Sequence, residues 1–351
     1  MENDRKEIGI LKAVGISGED IFYLYFTKFL ALSGLGAAAG LIAALLAEAK
    51  ISVHIQELYG MSESRLAGIL AAFAGAALTE GILLFSVRRT LKRMERLSAV
   101  EALTGQQRIG KEKKGQIFSP QYLIVASFTV NAGEMVAVMG PSGSGKSTLL
   151  YQVSGMDRAD SGEVWINGTE ICSLSEDEKA KLRLERMGFV FQQMNMLKNL
   201  NLIDNIMVPA CHLKKGRRYR EEITFRAHAL MKKMGIGELA QRKITEVSGG
   251  QLQRACICRS LMNRPEILFA DEPTGALNQK AAREVMEEFI RLNQEGVTIL
   301  MVTHDSKVAA GCSRILYLLD GSIKGELHLA GLPERKKREE KVSRWLEAMG
   351  W

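Results

Sequence analysis

The sequence predicts an α/β nucleotide-binding domain on a largely parallel sheet, preceded by a pair of membrane-spanning helices. Three observations lead there: the run GPSGSGKST at Gly140 to Thr148, three unbroken apolar runs that end at polar residues, and two long apolar stretches before Arg88. The first run matches G-x-x-x-x-G-K-[ST]. Its small residues let the backbone close around a polyphosphate while a lysine and a hydroxyl reach the terminal phosphates and a metal. The apolar runs are MVAVM at Met135 to Met139, ILFA at Ile267 to Ala270 and TILMV at Thr298 to Val302. Such runs suit strands covered on both faces. Ligands of open α/β sheets gather at the carboxyl ends of strands, so Gly140, Asp271 and His304 are expected to converge on one crevice.

The chain of 351 residues has room for more than one domain, and its 46% apolar and 25% charged content is ordinary. That average hides a division between an Ala-, Gly- and Leu-rich beginning and a soluble remainder. The net charge of +7 does not point to nucleic acid, because Arg88, Arg89, Lys92, Arg93 and Arg96 directly follow an apolar stretch, as at a cytoplasmic flank. No nucleic-acid partner is expected. The five cysteines form no C-x-x-C pair and have no zinc spacing, so they are expected to be buried thiols in a reducing compartment.

The membrane elements come first. About 20 apolar residues cross ~30 Å of hydrocarbon, and residues of about 21–47 and 66–87 meet that length. The loop between them is polar and mixed in charge, whereas the basic residues flank the pair, which places both ends in the cytoplasm. A signal peptide is the alternative for the first span, but no A-x-A-like cleavage pattern follows it. Gly36 and Gly40 form a G-x-x-x-G that allows close helix approach, or simply reflect a composition rich in small residues. Glu80 is costly in hydrocarbon unless it meets a partner or water, and is expected to face another helix.

DRKEIGILKAVG at Asp4 to Gly15, the two spans, and SAVEAL at Ser98 to Leu103 together resemble the C-terminal end of an FtsX-like permease over residues 1–105. The resemblance implies that Asp4 to Gly15 lies at the cytoplasmic face and contacts an ATPase; the alternative is an interfacial amphipathic helix with no coupling role. Only the last two spans of that family are matched, so half a permease at most is expected. Residues 106–120 then read as linker, 121–331 as the nucleotide-binding domain and 332–351 as a charged tail. The tail, with Trp345, Leu346 and Trp351, is expected to form an amphipathic helix packing on its own domain, with docking to a membrane surface as the alternative.

Within the domain the chemistry assigns roles. Phosphoryl transfer to water needs charge neutralisation, a metal and an oriented nucleophile. The loop of Gly140, Pro141, Ser142, Gly143, Ser144, Gly145, Lys146, Ser147 and Thr148 is expected to hold the phosphates of ATP, aided by the helix N-terminus that follows. Ser147 and Asp271 are expected to hold Mg²⁺. Glu272, beside Asp271, is the candidate for orienting or deprotonating the attacking water.

These residues, with VSGGQ at Val247 to Gln251, GFVFQQ at Gly188 to Gln193, DEPTGAL at Asp271 to Leu277 and VTHD at Val302 to Asp305, closely resemble an ABC transporter ATPase from about Leu123 to Gly331. The resemblance implies a P-loop NTPase fold with a mixed sheet core and a helical subdomain, the latter fitting the charged, helix-periodic stretch between Gln192 and Val247. It implies that Gln192 senses Mg²⁺ and the permease, and that His304 contacts the γ-phosphate region. It also implies that Ser248, Gly249, Gly250 and Gln251 contact ATP bound to the other subunit of a head-to-tail homodimer. The wording looks like the branch of macrolide exporters, lipoprotein-release systems and peptide-antibiotic resistance transporters. Two departures stand out: Asn278 occupies a position where that family usually has aspartate, and the usual adenine-stacking aromatic has only Phe118 or Tyr122 as poorly spaced substitutes.

The expected function is therefore an ATP-hydrolysing subunit at the cell membrane, its ATPase domain cytoplasmic, that drives an FtsX-like permease exporting or detoxifying a peptide or other amphiphile. Two alternatives stand beside it: an ATP-driven regulator of an extracytoplasmic cell-wall enzyme, and a truncated permease–ATPase fusion with little activity. DNA-repair ATPases carry the same signature but bring long coiled coils or zinc cysteines, which this sequence lacks.

Overall fold

The computed structural model describes residues 2–59, 65–95, 99–104, 126–213, 219–332 and 334–351. The chain divides into two units, Gly18–Leu97 and a discontinuous one made of Met1–Ser17 and Ser98–Trp351. The expected linker, with Phe118 and Tyr122, lies outside the described residues, as does the basic run 214–218.

The first unit is a pair of long helices, α2 (Gly18–Tyr59) and α3 (Arg65–Glu95). Among the described residues, Gly18–Ala47 is the one stretch long and apolar enough to cross a membrane; the second expected span falls within α3. Leu32, Leu35, Ile42 and Leu46 of α2 and Leu78, Ile82 and Phe85 of α3 are exposed, as suits helices solvated by lipid rather than water. Glu80 accepts a 2.6 Å hydrogen bond from Ser33 Oγ, so its partner is on the companion helix. The close approach that Gly36 and Gly40 allow is not used among the described atoms: a Cβ at either would meet nothing within 4 Å.

In the second unit, helices α1 (Glu2–Val14) and α4 (Ala99–Thr104) flank the first unit in sequence. The sheet consists of β1 (Met135–Met139), β4 (Met187–Val190), β5 (Ile267–Asp271), β6 (Thr298–Val302), β7 (Arg314–Leu319) and β8 (Ser322–His328). Its order is β4-β5-β6-β1-β7-β8, parallel throughout except for the antiparallel β7–β8 hairpin. A short hairpin, β2 (Trp165–Ile166) and β3 (Thr169–Glu170), stands apart.

Alternation along β1 sets the two layers. Met135, Ala137 and Met139 join one buried cluster and Val136 and Val138 the other, because successive side chains leave a strand on opposite faces. The first layer is closed by α9 (Gly249–Leu261), α10 (Gln279–Gln294), α7 (Leu202–Leu213), α8 (Arg220–Lys233), α11 (Ser306–Ala309) and α12 (Arg335–Ala348); Val342 and Leu346 of α12 are buried. The tail thus packs on its own domain. The second layer holds Leu149 and Leu150 of α5 (Lys146–Val153), the stacked rings of Phe189, Phe191 and Phe269, and Ala13 and Ala99 of α1 and α4. Next to the sheet, α6 (Glu176–Arg186) begins with a reciprocal capping box between Ser175 and Glu178. The edge is tied by Arg314, buried and bonded to both Glu134 and Glu326. Burial alone would raise the Glu134 carboxyl, but its hydrogen bonds with Arg314 and Asn131 win and hold it below the ordinary glutamate range.

Candidate active site

The carboxyl ends of β1, β5 and β6 lie side by side, since β6 pairs with both of the others. Gly140 follows β1 at a point where a Cβ would sit 2.0 Å from Leu318 O, so any side chain would displace the neighbouring strand. The loop then turns into α5, whose N-terminus has no side-chain cap and leaves its first N–H groups available to an anion. Lys146 is buried and its Nζ donates to Gly140 O and Pro141 O, both at 2.8 Å. Burial pushes its pKa below the usual lysine value, while Glu272 and Asp271 oppose the shift.

Under the loop, Ser147 Oγ donates to Asp271 Oδ1 at 2.9 Å and the Tyr151 hydroxyl donates to Asp271 Oδ2 at 2.6 Å. Asp271 is 7% exposed. Its burial raises the carboxyl pKa, and the two hydroxyl donors counter part of that rise. Tyr151 was not anticipated from the sequence. The signal was there: it lies four residues after Ser147, hence on the same face of α5.

Glu272 leaves β5 with φ +44, a left-handed conformation uncommon for a side-chain-bearing residue. Its N–H donates to Val302 O at 2.9 Å and its carbonyl accepts from Gly275 N at 3.0 Å, which together fix the turn. The carboxylate is held from two sides: Gln192 Nε2 donates to Oε2 at 3.0 Å, and His304 Nδ1 lies 2.9 Å from Oε1. Three residues from three separate segments therefore meet at one carboxylate.

A cavity of about 860 Å³ opens over this arrangement. Pro141, Ser142, Gly143, Gly145, Lys146, Ser147, Thr148, Glu272 and His304 line it, whereas Gly140, Ser144, Asp271 and Gln192 sit behind or beside its wall. Ser248, Gly249, Gly250 and Gln251 are not among its lining residues. Ser248 caps α9 instead, in a reciprocal box with Gln251 in which each backbone N–H meets the other's side chain at 2.9 and 3.3 Å. Gly250 faces Ala281 so closely that a Cβ would lie 3.0 Å from that residue's own. Asn278 caps α10, accepting from Ala281 N at 2.9 Å, so its amide oxygen performs the local task an aspartate would.

The cysteines of the domain core take no part. Of the five cysteines expected to be buried, Cys211 is exposed and Cys172 half-buried; Cys256, Cys258 and Cys312 are buried, and burial pushes Cys256 up to about 11 and Cys312 up to about 12. Such thiols stay protonated and unreactive at neutral pH. Among the described residues no group of three or more His, Cys, Asp or Glu could hold a metal.

A family model described as ABC transporter matches residues 123–275, and one described as FtsX-like permease C-terminal matches residues 1–95. The ABC transporter ATP-binding protein YxdL of Bacillus subtilis is 44% identical over 221 residues, which is 63% of this chain and 84% of that protein. The macrolide export ATP-binding/permease protein MacB of Bdellovibrio bacteriovorus is 40% identical over 224 residues, 62% of this chain but 34% of the relative, so this chain spans about a third of that protein's length. A solved dimeric ATP-binding cassette in a post-hydrolysis state, bound to ADP and Pi, superposes with a TM-score of 0.55 at 39% identity, over 58% of this chain and 89% of the other. The chain carries an FtsX-like segment ahead of its nucleotide-binding domain, and it belongs to the ABC transporter ATP-binding proteins.

Proposed function

We propose that this chain is the ATP-hydrolysing subunit of a membrane transporter, that two copies meet head to tail on ATP, and that their closure drives an FtsX-like permease exporting or detoxifying a peptide or other amphiphile. The observation that carries the hydrolytic part is the meeting of Gln192, Glu272 and His304 at one carboxylate beside the phosphate loop. Glu272 is placed to accept a proton from, or orient, a water attacking the terminal phosphate. His304 and Gln192 hold that carboxylate in position, and Lys146 supplies positive charge once a phosphate replaces the two carbonyls it now contacts. The dimer is supported by the signature residues Ser248 to Gln251 standing outside the cavity of their own chain, and by the dimeric cassette among the structural relatives.

Ser147 and Asp271 suit Mg²⁺, with Gln192 as a third oxygen donor. The pair offers one hydroxyl and one carboxylate, held together at 2.9 Å. That is few protein ligands, as Mg²⁺ tolerates where phosphate oxygens and water complete its shell. Bound there, the cation would neutralise charge on the β- and γ-phosphates.

A membrane location is supported by the apolar stretch Gly18–Ala47 and by the FtsX-like match, and a cytoplasmic ATPase domain by the basic residues after Val87. The export reading leans on the name of the macrolide exporter among the relatives. The test is ATP hydrolysis by the full chain in lipid, alone and with a complete FtsX-like permease, against Glu272→Gln. Hydrolysis at least 100-fold above that variant is expected, on the order of what general base catalysis contributes. A parent no faster than Glu272→Gln under both conditions overturns the proposal.

A further inference from the structure

The cavity over the phosphate loop has a second kind of lining. Beyond the loop residues, Glu272 and His304, it is bounded by Tyr317, Leu319, Gly350 and Trp351. The loop serves phosphates. An aromatic and aliphatic wall in the same cavity serves a flat, weakly polar ring. We propose that Trp351 is the stacking surface for the purine ring of the nucleoside triphosphate whose phosphates lie on Gly140 to Thr148. This assignment rests on the nucleotide reading given above and adds the residue that holds the base.

Trp351 is placed for this by the fold rather than left loose after a helix. Helix α12 ends in a pair of crossed hydrogen bonds: Trp351 N donates to Leu346 O at 3.0 Å and Gly350 N to Glu347 O at 3.1 Å, with Gly350 at φ +84. That is the six-to-one and five-to-two closure of a Schellman motif, which fixes the direction of the residue after the glycine. The helix itself is anchored by buried Val342 and Leu346, and by Trp345 and Met349 packed against Gly325 of β8, where a Cβ would lie 2.8 Å from Met349 Cε.

The register of the sheet then brings that residue to the cavity. Tyr317 of β7 pairs with Met139 of β1, the residue immediately before Gly140. The Trp351 ring meets the Tyr317 ring edge-on, with centroids 6.2 Å apart and planes at 69°. Tyr317 is 1% exposed and is spent on the core, while Trp351 remains 45% exposed. An edge-on contact uses the rim of one ring and leaves a broad indole face for a ligand. A cavity of about 860 Å³ has room for a whole nucleotide.

The test is calorimetric binding of ATP and of inorganic tripolyphosphate to the full chain in detergent, compared across the parent, Trp351→Ala, Trp351→Phe, Phe118→Ala and Tyr122→Ala. Trp351→Ala should weaken ATP binding roughly 5- to 150-fold, the range that base–aromatic stacking supplies. Tripolyphosphate, which has no ring to stack, should bind equally to the parent and both Trp351 variants, and Trp351→Phe should restore most of the ATP affinity. The assignment is overturned if Trp351→Ala binds ATP as tightly as the parent, or more tightly. It is overturned equally if tripolyphosphate loses as much affinity as ATP, which would mark a role in folding alone, or if Phe118→Ala or Tyr122→Ala carries the loss instead. A parent that binds neither ligand is a different result, because it removes the nucleotide site itself.

Discussion

Asp271 carries two opposing demands on one carboxylate. Burial raises its pKa above the ordinary aspartate value, so the folded chain holds that proton more tightly than the unfolded one. Its contribution to stability is therefore greatest below the ordinary aspartate range and declines as pH climbs through the raised value. Cation binding needs the opposite, the ionised form. Ser147 and Tyr151 ease the conflict by donating to that form. Tyr151→Phe removes one donor and should move the acid limb of Mg²⁺-dependent hydrolysis to higher pH. It should also lower stability by roughly 1–3 kcal/mol, the cost of a buried acceptor left short. A pH–rate profile and a thermal melt check both, and an acid limb that does not move removes Tyr151 from the site. Sequence motifs named Ser147 and Asp271 because each belongs to a short recognisable word. They could not name Tyr151, which acts through a helix face and belongs to no such word.

Among the elements, α1 packs closely on α6 of its own unit. It ends in the same crossed closure as α12, Gly15 N to Lys12 O at 3.0 Å and Ile16 N to Leu11 O at 2.9 Å, with Gly15 at φ +99. A Cβ on Gly15 would lie 2.5 Å from Leu184 N and 2.6 Å from Ala180 O, both backbone atoms of α6 that cannot swing aside. Gly15→Val should therefore cost roughly 1–3 kcal/mol in the seating of α1. Hydrogen exchange should show faster opening of residues 2–14 with little change in β1, β5 and β6; unchanged protection of α1 would refute the contact. Elements differed in how openly the sequence announced them. β1, β5 and β6 are buried on both faces and read as unbroken apolar runs, so their limits were legible. β4 was obscured by Gly188, a residue that weakens a strand pattern yet is needed where a Cβ would lie 2.6 Å from Ser260 O. β8 lies at the sheet edge and alternates with Gly325 at its centre, so its composition gave no strand signal.

Taken whole, the proposed head-to-tail pair gives each chain one half of each of two sites. If the cavity of one copy is closed by Ser248 to Gly250 of another, Lys146→Ala and Ser248→Arg should each abolish hydrolysis alone. A mixture should recover it, because a mixed pair contains one loop and one signature that are both intact. A mixture no faster than either variant would exclude the composite site. Residues Gly18–Leu97 leave the nucleotide-binding unit and return to it, and the helices at exit and re-entry, α1 and α4, bury Ala13 and Ala99 in one apolar cluster with Phe189 and Phe269. That cluster therefore closes only once the chain has passed through the whole inserted segment, and the entropy of closing so long a loop must be offset by burial within it.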